Sequence, residues 1–92
     1  MAQKYVVIRT CNAGVHVGEL TERRGSEADL ANARRIWSWK GARTLHEMAL
    51  HGVAEGSCIS EPVPTITVLE VIEVIPCTDE ARANLLAAKW GA

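Results

Sequence analysis

The 92-residue chain lacks a membrane span: its longest apolar stretch, Val63 to Ile75, is broken by Glu70 and Glu73, whereas a crossing helix needs about 20 apolar residues. It lacks a disulfide framework. Cys11, Cys58 and Cys77 are odd in number and far apart, form no C-x-x-C pair and follow no secretory leader, so the expectation is reduced thiols in a cytoplasmic protein. Charge of one sign is lacking as well. A net charge of -1 argues against a globally basic nucleic-acid binder or a membrane-surface protein, so charge-driven binding must come from a local patch. Signatures of catalysis are absent: there is no G-x-S-x-G elbow, H-E-x-x-H pair, Walker loop or dinucleotide fingerprint. The expectation is therefore a protein that is not an enzyme and uses no cofactor. A Cys–His pair meeting in space stays open, against the commoner fate of simple burial. No internal repeat or low-complexity tract is present.

What is there suits one small core. A chain of this length has room for a single domain over residues 1–92, and it buries only roughly 60 to 65 per cent of the surface exposed on unfolding. A subunit interface would add buried area, which makes a homo-oligomer the expectation.

Hydrophobic periodicity assigns the elements. Tyr5-Val6-Val7-Ile8-Arg9-Thr10 is a β-branched and aromatic run bounded by Asn12-Ala13-Gly14, which reads as a strand and a tight turn. A second strand follows to about Thr21, with Val15, Val17 and Glu19 pointing one way and His16, Gly18 and Leu20 the other. Glu22 to Ser26 is polar and reads as a solvated turn. The next segment, Glu27 to Trp39, fits a strand with a bulge near Asn32 or two short strands; a helix over Leu30 to Ile36 competes. Thr44-Leu45-His46-Glu47 is a capping box that opens a two-turn helix ending at Gly52. Thr65 to Ile75 is the strongest strand signal, with a bulge or bend near Leu69-Glu70. Pro76 stops it, and Thr78, Asp79 and Glu80 open a last helix running to about Lys89. The fold class is α+β: a small antiparallel sheet with two short helices.

The most unusual segment is Ala33 to Arg43. Arg34, Arg35, Lys40 and Arg43 place four of the ten basic residues within ten positions, and Trp37 and Trp39 lie between them. No acid interrupts the stretch from Asp29 to Glu47. On a strand, Arg35, Trp37 and Trp39 would share a face, offering guanidinium donors to phosphate and rings on which a base stacks. Arg9 and His16 on the first hairpin would join them. An equally open reading makes the tryptophans core or interface anchors, with the arginines solvated or paired. His16, His46, His51 and the cysteines match no standard zinc spacing.

Tyr5-Val6-Val7-Ile8-Arg9-Thr10, Ala13-Gly14-Val15-His16-Val17-Gly18 and Asn32 to Ala42, continuing through Leu45, Gly52 and Glu73-Val74-Ile75-Pro76, resemble a family of small proteins encoded by tailed phages and prophages. Small phage proteins of this kind often counter bacterial immunity. The further likeness to the Thoeris anti-defence proteins and related sponges is one of size and style, with no motif transferred residue by residue. The resemblance implies a non-enzymatic oligomer in the host cytoplasm that sequesters a small anionic, cyclic-nucleotide-type signal. Arg34, Arg35 and Arg43 would meet phosphates, and Trp37 and Trp39 would stack or wall the pocket. Alternatives are an inhibitor of a host enzyme anchored by Trp37, Trp39 and Trp90, or a nucleic-acid-binding accessory protein, which the overall charge disfavours.

Overall fold

Tyr5–Thr10 (β1) is buried on both of its faces, which a strand achieves only in the interior of a sheet covered on two sides. The computed structural model, which describes residues 4–12 and 14–88, places it there. Val15–Arg24 (β2) and Glu27–Ser38 (β3) continue the meander. The short Cys58–Ile59 (β4) and Val63–Val68 (β5) both line the far edge of β3, and Val71–Pro76 (β6) pairs with the free side of β1. All pairings are antiparallel. Two helices, Leu45–His51 (α1) and Asp79–Ala87 (α2), complete an α+β fold. Among the described residues, no helix is long and apolar enough to cross a membrane.

The alternation of side chains builds two cores on opposite sides of the sheet. Tyr5, Val7, Val17, Ile36 and Ile59 meet Met48 and Ala49 of α1 and Leu85 of α2. On the other side, Val6, Ile8, Ala28, Leu30 and Ala33 are closed over by Val68 and Val71 as the sheet curls. Hence one core is roofed by helices and the other by strands.

The bulge falls where the sequence puts it. Val17 faces Arg34 but Glu19 faces Ala31, so β3 carries an extra residue, and Asn32 takes it up at φ 50, a conformation Asn tolerates better than most residues. Gly18 sits opposite. A Cβ there would lie 3.1 Å from both the Ala31 carbonyl oxygen and the Ala33 Cα, so the two strands approach closely only because the side chain is missing. The helix over Leu30 to Ile36 does not form, because those residues pair along β2 on one edge and β4 or β5 on the other.

Three expectations are corrected. The polar stretch at Glu22 to Ser26 is mostly strand, leaving Gly25 and Ser26 as the turn between β2 and β3. Its charges are organised around Arg24, which bonds Glu22, Glu27 and Asp29. Arg24, helped by the Thr67 hydroxyl, holds the Asp29 carboxyl below its ordinary value. The second correction concerns Thr65 to Ile75, which is two strands. At Leu69-Glu70 the chain bends, with Glu70 at φ 56, and passes without reversing direction from the edge of β3 to the edge of β1.

The third is the capping box, which is half formed. Thr44 Oγ1 accepts from the Glu47 amide at 3.2 Å, while the Glu47 carboxylate is taken by Arg43 Nε at 3.1 Å. In α2, Thr78 Oγ1 caps the Ala81 amide at 3.1 Å, and Ala81 and Leu85 are buried as their spacing requires. The expected end of that helix at Lys89 lies outside the described residues. The two helices lean together through Asn84, whose amide side chain bonds both N–H (2.8 Å) and C=O (3.0 Å) of Val53.

Candidate functional site

The register of β2 against β3 separates the candidate residues. Val15 faces Ile36 and Val17 faces Arg34 on the helix side, whereas His16 faces Arg35 on the curled side. Arg34 and Arg35 are therefore neighbours in sequence with opposite surroundings. Arg34 is 4% exposed. Its Nε donates to the Ser60 carbonyl at 2.8 Å and its Nη1 to the Leu85 carbonyl, in the last turn of α2, at 2.9 Å. A cation at a helix C-terminus is favoured by the helix dipole. Arg34 thus ties β3 to α2 and to the strand beyond it, and its expected role as a phosphate contact is withdrawn.

Two clefts, each of about 440 Å³, lie at the turn end of the first hairpin on opposite sides of the sheet. The first, on the helix side, brings together Arg9 at the end of β1, Trp39 just past β3, and Arg43, Thr44 and His46 at the start of α1, with Glu73 of β6. Arg9 Nη1 stands 3.6 Å from Glu73 Oε1, and His46 Nε2 stands 3.9 Å from Glu73 Oε2. Glu73 thereby spaces two basic groups across the cleft. Trp39 is half-buried, packs on the helix-side core, and is oriented by its indole N–H, which donates to the Ala42 carbonyl at 3.1 Å. Exposed ion pairs of this kind contribute little to stability, so the basic groups are available to exchange partners with a ligand.

The second cleft lies on the curled side, between His16 and Arg35 on one wall and Ile66, Val68 and Leu69 on the other, with Asn12 and Glu70 at its rim. His16 is 5% exposed. Asn12 donates its amide to the Glu70 carboxylate at 3.2 Å.

The remaining candidates lie elsewhere. Trp37 is 53% exposed on β3 and lines neither cleft. The irregularity between Ile36 and Ser38 ends the strand before Trp39, so Arg35, Trp37 and Trp39 do not share one face as the strand reading expects. Lys40 lies along the 54–57 loop, its backbone N–H donating to Ser57 Oγ at 2.9 Å and its side chain crossing Gly56. Trp90 lies outside the described residues. The histidines are in three places: His16 in the sheet, His46 in the first cleft, and His51 against Glu80 at 3.1 Å. Among the described residues, no group of three His, Cys, Asp or Glu side chains gathers as a metal ion would require.

A family model described as a domain of unknown function (DUF6948) matches residues 3–85. The chain belongs to the DUF6948 family. Comparison with curated proteins and with solved structures gives no match. In this DUF6948 chain the clefts include residues that pattern reading passed over: Thr44, His46 and Glu73 in the first, Asn12 and Glu70 in the second. Glu73 and Glu70 do carry a signal, as charges set inside an otherwise apolar run. Thr44 and His46 offer only the capping pattern, which explains a helix start and hides a second use.

Proposed function

We propose that the protein is a binding module that holds a small anionic ligand of nucleotide type in the first cleft and does no chemistry on it. The observation that carries this reading is the convergence of Arg9, Trp39 and Arg43, drawn from three separate segments, around one cleft of about 440 Å³. Two guanidinium groups suit phosphate oxygens, and a fixed indole gives a flat apolar wall for a base. The cleft volume lies in the ordinary range of small-ligand sites, about 300–1,000 Å³. In the setting implied by the likeness to phage sponges, the ligand is a cyclic-nucleotide-type immune signal, and the protein lowers its free concentration in the host cytoplasm. A homo-oligomer belongs to the same reading: exposed Trp37 and Ile72, at 53% and 55%, are surfaces a second copy would cover.

The test is a thermal-shift screen against cyclic di- and trinucleotides, cyclic ADP-ribose isomers and linear controls, repeated with Arg9→Ala and Arg43→Ala. A ligand present at 100 times its dissociation constant adds about 2.7 kcal/mol to the stability of a protein that binds it only when folded. A selective shift lost in both variants, with the ligand recovered intact after denaturation, supports the reading. No shift across the panel, or recovery of a cleaved product, overturns it.

A second reading has its own observation. The half-exposed Trp37 on a strand is the kind of residue that anchors protein interfaces, which keeps an inhibitor of a host enzyme in view. Loss of partner binding in Trp37→Ala, with Arg9→Ala unaffected, would favour it.

A further inference from the structure

We infer that the second cleft, on the curled side of the sheet, is a separate binding site for an organic monocarboxylate carried on an apolar body. Three observations lead there. The first is that, among the described residues, the Arg35 guanidinium makes no hydrogen bond and no ion pair, although its neighbours in the chain and in the cleft are engaged. Arg34 is engaged by two carbonyls, and the Glu70 carboxylate at the rim is held by Asn12. A guanidinium presents its donors in a planar fork that matches a carboxylate.

The second is that this guanidinium is positioned. It lies against Gly14, where a Cβ would stand 3.0 Å from Nη2 and 3.1 Å from Nε. Packing against glycine backbone reduces the freedom of the arginine side chain, so less ordering is lost when a ligand arrives.

The third is the chemistry of the facing wall. Ile66, Val68 and Leu69 supply aliphatic surface, and Leu69 is 54% exposed without a ligand. The ring that His16 contributes is buried in the wall, 5% exposed, so the cleft presents little aromatic face on which a base would stack. One unpaired cation, with the Glu70 carboxylate nearby, suits a single negative charge and disfavours a dianion such as a phosphate monoester. A charged fork at one end and an aliphatic wall along the side describe the complement of a short fatty or aryl-acetic acid.

The experiment is an NMR titration of the full chain with hexanoate and phenylacetate, with inorganic phosphate and hexylammonium as controls. The expected result is saturable shifts at Gly14, Arg35 and Val68 with the carboxylates and none with hexylammonium. Arg35→Ala weakens binding by about tenfold or more, the size expected for loss of a charge-assisted hydrogen-bonded pair. Leu69→Gln, at an exposed position that tolerates the change, weakens it through the apolar wall, while Arg82→Ala, at an exposed position on α2, leaves it unchanged. Absence of saturable carboxylate binding overturns the inference. So does tighter binding of phosphate, or carboxylate binding that survives Arg35→Ala. Carboxylate shifts centred on Arg9 and His46 also overturn it, by placing the ligand in the first cleft.

Discussion

The two sides of the sheet bury similar aliphatic residues but are sealed by different means, and the seal decides what happens to the polar groups beneath it. Helices α1 and α2 cover one side with side chains and loop backbone, which gives two polar side chains there backbone partners: Arg34 reaches Ser60 and Leu85, and Asn84 reaches Val53. The other side is closed by the sheet's own curl, which leaves an opening between β5 and the hairpin where Arg35 stands without a partner among the described residues. A helical lid can supply free carbonyls at its last turn. Along β5, by contrast, the carbonyls that pair with β3 are already committed.

The sharpest way to break this comparison is to truncate each arginine. Arg34→Ala strands two carbonyls and removes a buried cation, and should cost about 3 kcal/mol in urea unfolding. Equal stability of that variant would mean that the helical lid does not depend on the tie. Next in size is Gly52→Ala. Gly52 ends α1 at φ 82, and a Cβ there would collide with Asn84 Oδ1, so the change strains the backbone and displaces the amide that joins the helices. A loss of about 2 kcal/mol is expected, with a lower Tm.

Alkaline titration distinguishes the sides more gently. Burial on the helix side pushes the Tyr5 phenol up to about 12 and the Cys77 thiol up to about 11. Both groups are neutral when protonated and their folded values are raised, so their contribution is complete below the ordinary values and is lost as pH climbs through the raised ones. Stability should therefore fall from about pH 9 to pH 12. Because the chain has one tyrosine, an ultraviolet titration reads Tyr5 alone, and a midpoint near its ordinary value would contradict the burial. The Tyr5 hydroxyl is buried with no hydrogen-bond partner among the described residues. Tyr5→Phe should accordingly leave stability unchanged or raise it by up to about 1 kcal/mol, with a shallower alkaline slope. The smallest effect belongs to Arg35→Ala, expected within about 0.5 kcal/mol of the parent, so that any loss of binding there reads as function.

Local patterns carried most of the fold. The first hairpin, the bulge at Asn32, both threonine caps and the α+β class follow from alternation, turn residues and capping chemistry that act within a few positions. Where the sequence reading falls short, the deciding contact is distant. Nothing near Leu69-Glu70 says that β5 belongs to β3 and β6 to β1, so the pattern predicts the bend and not the crossover. The two-residue β4 is held only by its pairing with β3 and carries no periodicity of its own. The site was legible as a list of residue types and illegible as a place. Alternation alone puts Arg34 and Arg35 on opposite faces, but which face helices would cover depends on α2, some fifty residues later. The same distance hid the joining of Arg9 with Arg43.

The crossover at Leu69-Glu70 also sets the order in which the molecule can be made. β1 leaves the ribosome before the other described strands, apolar on both faces, and its outer neighbour β6 is the last of them to be synthesised. At about 5–20 residues per second the wait is on the order of several seconds. During that interval β1 has only β2 to shield one edge, and the other is open to any strand that passes. A nascent chain stalled before Val71 would display an aggregation-prone ribbon, so the speed of completing the chain, as much as its final stability, protects this fold in the cell.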